Sequence, residues 1–181
     1  MLTAFLKPEG SAPAVKILHH TAICIARKRI WIQNPYFIPE PEAIDAFGEA
    51  VKRGVDVRVM MPAADVIDSP IVQHASHHHF GDLLANGVRV FEYTKTLLHQ
   101  KVMIVDGKWS CVGSTNFDDR SFLLNDEVSV GFTNARIAQE LRDAWFDDLR
   151  HCTEVQFEEW RARPWPHKLL DGVGFLMRRE F

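Results

Sequence analysis

Two spacings of apolar residues alternate along the first half of the chain, and each predicts a different element. Apolar residues recur every three or four positions in three segments, which predicts three helices: residues 14–29, 41–54 and 69–87. Short runs rich in valine and isoleucine separate and follow them, which predicts three strands: residues 30–34, 55–61 and 88–93. This alternation is typical of parallel strands joined by helices that cover the sheet.

The pattern changes after residue 94. Apolar runs over residues 97–105 and 109–114 flank an Asp-Gly-Lys turn, and this arrangement predicts an antiparallel hairpin. Two further elements follow: a strand over residues 126–132 and an amphipathic helix over residues 135–152 with Asn134 as its N-cap. The sequence therefore predicts an α/β fold, a mixed β-sheet flanked by helices on both faces.

Length and composition fit one globular domain. The chain has 181 residues, of which 46% are hydrophobic and 25% charged, as in ordinary soluble domains. We expect three parts: an irregular N-terminal segment over residues 1–13, one folded domain over residues 14–152, and a basic and aromatic tail over residues 153–181. Three cysteines with no Cys-x-x-Cys pair predict buried free thiols and exclude a disulfide framework.

The predicted hairpin carries the clearest candidate chemistry. A net charge of −3 gives the chain no general attraction for anions, so an anion site must be local. Residues two apart in a strand share a face, so we expect His99 and Lys101 to project together, beside Ser114 and Asn116. An ammonium, a hydroxyl and an amide suit a phosphate, and histidine can act as nucleophile or proton donor.

This residue set predicts phosphoryl chemistry through a phosphohistidine. The sequence shows no cluster of carboxylates that would suit a magnesium ion. We therefore expect a reaction that needs neither a metal nor a cofactor.

A longer signature contains these residues. Its members follow one another at fixed intervals: His99, Lys101, Asp106, Gly113, Ser114 and Asn116. The signature resembles the HKD motif of the phospholipase D superfamily. Flanking segments such as "NPYFIPEPEAIDAF" and "FLLNDEVSV" resemble the C-terminal catalytic half of bacterial cardiolipin synthases, and the resemblance runs from about residue 10 to about residue 165. It identifies the predicted domain as a phospholipase D-like half.

The resemblance implies a role for each residue of the site. His99 would be one of two active-site histidines. Lys101 and Asn116 would bind the non-bridging phosphate oxygens, with Ser114 assisting. Glu127 would orient the histidine and support its cationic form.

Three further residues are expected to support the site without touching phosphate. Asp106 lies at the hairpin turn, where a structural role in holding the turn is expected. Gly113 belongs to the structural part of the motif. Asn125 precedes Glu127 and is expected to support the site from that strand.

Enzymes of this superfamily use two HKD sets, and this sequence contains one. The second set would come from the missing half of a longer enzyme or from a homodimer partner. We favour the missing half. In that case His99 is expected to act as the general acid and base, while the other histidine attacks phosphorus.

The implied reaction is phosphatidyl transfer to a lipid alcohol, with a phosphatidylglycerol-like phospholipid as substrate. The partners expected are that lipid, a membrane surface and the second HKD half. A peripheral position on the cytoplasmic side of the bacterial inner membrane follows from the same resemblance.

Two other functions remain open at this stage. One is a single-motif homodimeric phosphodiesterase, either a nuclease or a phospholipase D. The net charge of −3 argues against nucleic acid as a partner. The other is an inactive isolated half that binds phosphate or lipid without turning it over.

Two segments outside the motif contain residues that suit binding. His74 and His78 are four residues apart on a predicted helix, a spacing found in metal sites, but we expect them to form a solvated face. In the tail, Trp160 and Trp165 lie among arginines and lysines, a mixture that suits a lipid headgroup region. Packing of the tail on its own domain or on the missing half is the alternative.

Overall fold

The computed structural model describes residues 2–6 and 13–177. The strands are β1 (Leu2–Leu6), β2 (Arg29–Gln33), β3 (Asp56–Pro62), β4 (Arg89–Tyr93), β5 (Lys101–Val105), β6 (Trp109–Gly113), β7 (Glu127–Thr133) and β8 (Cys152–Glu154). The helices are α1 (Ala14–Ile25), α2 (Pro41–Lys52), α3 (Pro70–His78), α4 (Phe80–Ala85), α5 (Asp119–Leu123), α6 (Ala135–Leu149), α7 (Phe157–Arg161) and α8 (Trp165–Leu176).

The strands of this part of the chain form one mixed sheet in the order β1-β7-β6-β5-β2-β3-β4-β8. β2, β3 and β4 are parallel, and the remaining neighbours are antiparallel. The predicted α/β fold with a mixed sheet is therefore confirmed.

Helices cover both faces of the sheet. On one face, α1, α2 and α4 contribute to a buried core that includes Ile23, Phe47 and Leu83. On the other face, α6 places Trp145 against Trp31, with ring centroids 5.6 Å apart. The predicted cap of α6 is present, because the Asn134 side chain accepts hydrogen bonds from the first backbone amides of the helix.

The region predicted as one helix over residues 69–87 is instead two helices. α3 ends at His78, and α4 begins at Phe80. The two halves pack against different partners, which explains the break. Val72 of α3 belongs to a small cluster that includes Phe175 of α8, whereas Phe80 of α4 is buried in the main core.

Both ends of the chain contain more regular structure than the sequence predicted. Residues 2–6, expected to be irregular, pair with β7 as an antiparallel strand. The open edge of β7 offers backbone groups that such a strand satisfies. The remaining residues of the predicted irregular segment, 7–12, lie outside the described part.

The C-terminal tail begins as part of the sheet. β8 pairs with β4 across the boundary predicted at residue 152, and Glu154 receives two hydrogen bonds from Arg89 at 2.7 and 2.8 Å. α8 then packs on α3. Within the described residues, no helix is long and apolar enough to cross a membrane.

The cysteines correct one expectation. All three are free thiols, but only Cys111 is buried, whereas Cys24 is exposed on the last turn of α1 and Cys152 is half-buried. The exposed position of Cys24 follows from the amphipathic pattern of α1, whose buried face carries Val15, Ala22 and Ile23.

The turn between β5 and β6 is anchored by Asp106. Asp106 and Gly107 have φ angles of 56° and 65°, as the predicted tight hairpin turn requires. The Asp106 carboxylate accepts hydrogen bonds of 2.7–3.2 Å from three consecutive backbone amides: Arg27, Lys28 and Arg29. Burial opposes ionisation, yet these bonds hold the pKa of Asp106 below its usual value. The hairpin is thereby fixed to the start of β2.

Replacing this anchor should destabilise the fold. We expect Asp106→Ala to lower the free energy of unfolding by about 2–3 kcal/mol, because three amides lose a charged acceptor. Asp106→Asn, which tolerates the same backbone conformation, should lose less. Urea denaturation followed by circular dichroism measures both. Lys108→Ala, an exposed change on the same turn, is the control; equal losses for Lys108→Ala and Asp106→Ala would contradict the anchoring role.

Candidate active site

The hairpin register decides where the candidate residues lie. Lys101 is paired with Gly113 at the open end of β5 and β6. The segments before Lys101 and after Gly113 therefore leave the sheet at the same edge. His99 lies in the first of these segments, and Ser114 and Asn116 lie in the second.

His99 and Lys101 meet, although not as the sequence predicted. β5 begins at Lys101, so His99 is in the irregular segment before the strand and not on a shared strand face. Lys101 folds back instead. Its ammonium nitrogen is 3.2 Å from His99 Nδ1 and donates to the His99 carbonyl oxygen at 3.0 Å. The predicted proximity holds, while the predicted strand over residues 97–100 is wrong.

Lys101 lies in a partly desolvated and negatively charged setting. Burial lowers the pKa of Lys101, and three nearby carboxylates oppose this shift: Glu127, Asp68 and Asp118. A lysine so placed presents a positive charge whose interactions with an anion are stronger than in bulk water. The His99 side chain beside it is exposed and accessible to a substrate.

Ser114 and Glu127 form a second group at the same edge. The Ser114 hydroxyl donates a very short hydrogen bond to Glu127 Oε2 and accepts one from the Val128 amide at 3.1 Å. Asn125 Nδ2 lies 3.4 Å from Glu127 Oε1, so Asn125 supports Glu127 as expected from its position. Glu127 therefore contacts Ser114, and among the described residues it makes no hydrogen bond to His99.

Gly113 makes this second group possible. A Cβ atom on Gly113 would collide with the Val128 carbonyl oxygen and with the side chain and backbone of Ser129. Only glycine lets β6 approach β7 this closely. Just beyond Gly113, the Ser114 amide donates to the Val128 carbonyl oxygen at 2.9 Å, and the Ser114 hydroxyl reaches Glu127.

Asn116 brings an unsatisfied polar group to the site. Its side-chain oxygen is buried and has no hydrogen-bond partner within the described residues. Such a buried group without a partner is costly in a folded protein. No described hydrogen bond joins Asn116 to His99 or Lys101.

Sequence reasoning missed the residue that positions the Asn116 loop. The buried side chain of Asn34, just after β2, donates to the Thr115 carbonyl oxygen at 3.3 Å. Its own oxygen accepts from the amides of Tyr36 and Phe117 at 3.2 and 3.3 Å. The Asn-Pro pair that ends β2 was the available signal, since a buried asparagine in a turn commonly bonds to nearby backbone.

Tyr36 and Asp68 also border the site. The Tyr36 ring faces that of His99 edge-on at 6.5 Å, and its hydroxyl donates to Asp68 Oδ1 at 2.9 Å. Burial, with the contact to Asp68, raises the pKa of Tyr36 to about 12. Tyr36 is therefore a neutral donor held beside His99.

Known proteins match both the sequence and the fold. The family described as "Cardiolipin synthase, PLD-like domain" matches residues 20–150. The chain belongs to this family. A cardiolipin synthase of Halalkalibacterium halodurans is 39% identical over 90% of this chain and 32% of its own length. A probable cardiolipin synthase of Bacillus subtilis is 43% identical over 76% of this chain and 27% of its own.

The chain thus spans about one third of the length of the curated relatives it matches. Solved structures show the shared fold. The phospholipase D family member Nuc from Salmonella typhimurium has a TM-score of 0.70 at 24% identity, over 86% of this chain and 97% of that one. A phosphatidylserine synthase of Haemophilus influenzae has a TM-score of 0.75 at 13% identity, over 99% of this chain and 47% of that one.

Asp118, which caps α5 beside the site, makes stability depend on pH. Burial raises the pKa of Asp118 from its usual range, near 3.8, to about 6, although the Ser121 amide donates to it at 2.7 Å. Between these values the folded protein holds the proton more tightly than the unfolded chain does. Stability therefore decreases as the pH rises through this window.

Replacing Asp118 with asparagine should reverse this loss. Asp118→Asn removes the buried charge and retains an oxygen for the Ser121 amide. We expect a gain in unfolding free energy of about 1–2 kcal/mol near pH 7.5 and almost none near pH 4. Urea denaturation at both pH values measures it. An equal gain at the two pH values would show that the carboxylate charge is not the cause.

Proposed function

We propose that this chain provides one HKD half of the active site of a cardiolipin synthase. The reaction is transfer of a phosphatidyl group from one phosphatidylglycerol-like lipid to a hydroxyl of another, through a phosphohistidine. The observation that carries the proposal is the contact between the His99 ring and the Lys101 ammonium at an accessible edge of the sheet. Membership of the family and the similarity to cardiolipin synthases over most of the chain support it.

The residues divide the chemical work between charge and proton transfer. Lys101 and Asn116 bind the non-bridging phosphate oxygens, Lys101 through its charge and Asn116 through its amide, and Ser114 assists. Glu127 acts through Ser114, whose hydroxyl it holds, and through its negative charge near Lys101. Tyr36 keeps the His99 ring in place from the other side.

His99 serves as general acid and then as general base. A histidine of the second HKD set attacks phosphorus, so that a P–N bond forms and the P–O bond to the departing glycerol breaks. His99 gives its proton to that oxygen. It then takes a proton from the incoming hydroxyl, whose oxygen displaces the histidine from phosphorus. Atoms and charges balance without a metal or a cofactor.

A second HKD set must complete this site. The sequence contains one set, whereas the proposed chemistry uses two histidines. Another segment of a longer protein is the source we favour, because the related cardiolipin synthases are about three times as long as the matched region. A second copy of this chain is the alternative, because a twofold interface would let one HKD set serve twice.

The outer face of α8 supports a position at a membrane surface. Trp165, Leu169 and Leu176 are 73%, 59% and 79% exposed. Lys168 is exposed on the same helix, and apolar and basic groups together suit the headgroup region of a membrane. We place the protein peripherally on the cytoplasmic side of the bacterial inner membrane, with no nucleic acid as partner.

Loss of His99 tests the reaction. In a preparation that contains both HKD sets, we expect His99→Ala to reduce conversion of phosphatidylglycerol vesicles to cardiolipin by about 10²–10⁴-fold, while the circular dichroism spectrum stays unchanged. His167→Ala, an exposed histidine on α8, is the matched control. The same preparation is offered a single-stranded oligonucleotide. Wild-type rates in His99→Ala would refute the site, and cleavage of the oligonucleotide in place of lipid transfer would refute the function.

Loss of Lys101 tests anion binding separately from turnover. Lys101→Ala should weaken vanadate binding by about 10–100-fold, the equivalent of one charge-assisted hydrogen bond. Isothermal titration calorimetry with vanadate measures this, with Lys108→Ala as the control. If vanadate binds and no lipid product forms in any preparation, the chain is a binding half without turnover. Unchanged binding in Lys101→Ala would remove Lys101 from the site.

A further inference from the structure

The contact between α3 and α8 contains a cluster of polar side chains that the proposed reaction does not use. The two helices approach closely at Gly174, where a Cβ atom would lie 2.7 Å from the Cβ of His74 and 2.9 Å from the Ala75 amide nitrogen. One turn away on α8, Asp171 is only 3% exposed. His74 therefore faces another helix, which corrects the expectation of a solvated face for this residue, whereas His78 is exposed as expected.

Three side chains direct ligand atoms to one point in this contact. His74 Nδ1 is 2.9 Å from Asp171 Oδ1, and His77 Nδ1 is 3.9 Å from the same oxygen. One ligand atom from each of the three residues lies within 4.8 Å of the others. His78, which the sequence pattern had paired with His74, is not part of the group and stacks on Phe175 with centroids 4.3 Å apart.

Glu92 determines which nitrogen His77 presents to the cluster. Glu92 Oε1 is 3.2 Å from His77 Nε2, so this carboxylate holds the proton of the neutral ring on Nε2. Nδ1 then carries a lone pair and points at the carboxylate oxygen of Asp171 with no proton between them. A carboxylate behind a histidine is the usual arrangement at metal centres, where it fixes the tautomer and increases the basicity of the ligand nitrogen.

Arg163 orients the carboxylate without occupying the cluster. Its guanidinium donates to Asp171 Oδ2 at 3.0 Å and lies over the indole ring of Trp160. Oδ1, the other oxygen, is left for the two histidines. The Arg163 guanidinium thus fixes the orientation of the Asp171 carboxylate, as hydrogen-bond donors behind the ligands of a metal site do.

We propose that His74, His77 and Asp171 bind a divalent transition-metal ion, with Zn²⁺ the best match, and that this ion fastens α8 to α3. Two imidazoles and one carboxylate suit zinc, whereas magnesium prefers oxygen ligands alone. Zinc ligands lie about 2.0–2.2 Å from the ion, so side-chain shifts of about an ångström would complete the coordination.

Access to the ion and its remaining coordination position come from an adjoining cleft. A cleft of about 310 Å³ is lined by His77, Gly81, Trp160 and Asp171, among other residues, and gives a water molecule room to reach the site. The side chain of His74 is 32% exposed, which provides a path for the ion. This site lies on elements other than those that carry the HKD residues, so it is independent of the proposed reaction.

Binding of the metal alone provides the test. Protein freed of metal by a chelator is titrated with ZnCl₂ against a chromophoric competitor, and thermal melting is followed with and without ZnCl₂. We expect one equivalent to bind and to raise the melting temperature, while MgCl₂ has no effect. His74→Gln and His77→Gln should each lose most of the affinity. Glu92→Gln should weaken binding by about tenfold, as a change behind a ligand does.

His78→Gln is the matched control, because it removes the imidazole next to His77 and leaves the proposed ligands in place. It should bind zinc as the wild type does. Melting curves without metal verify that each variant is folded. The proposal is wrong if the wild-type protein does not bind zinc, or if His74→Gln, His77→Gln and His78→Gln bind it equally. The cluster would then be an ion pair between Asp171 and Arg163 with no role in metal binding. Neither readout depends on lipid transfer.

Discussion

The close approach of β5, β6 and β7 is the constraint on which the rest of the candidate site depends. Asp106 fixes one end of the hairpin to the start of β2 through three backbone amides. Gly113 lets the other end approach β7 without a steric clash. Because both ends are fixed, Lys101 lies opposite Gly113 and Ser114 meets Glu127. Asp106 and Gly113 of the HKD motif therefore have structural roles: they position the strand ends next to which His99, Lys101 and Ser114 lie.

Lys101 and its neighbouring carboxylates determine the electrostatics of this edge. Lys101 is partly desolvated, and its carboxylate neighbours keep it charged against that cost. Burial raises the pKa of Asp118, which caps α5 beside the site, to about 6. A phosphate that enters would replace the His99 contacts of Lys101 with stronger, charge-assisted bonds.

The sequence predicted the fold well where local pattern and tertiary packing agree. Val59 and Ile104 lie in short apolar runs that are also buried in the sheet, so the strands were found. The prediction was wrong at His99. The apolar run before β5 was interpreted as strand, but the register shows no neighbouring strand paired with residues 97–100. The prediction was also wrong at His74, since helical periodicity does not reveal which other helix will cover a polar face.

Determination of the structure with vanadate bound tests the central claim most directly. We expect one vanadate at the open end of β5 and β6, bound by the Lys101 ammonium and the Asn116 amide, with the His99 ring directed at the vanadium atom. A vanadate bound elsewhere on the surface would contradict it. So would a structure in which Lys101 and Asn116 point to separate pockets.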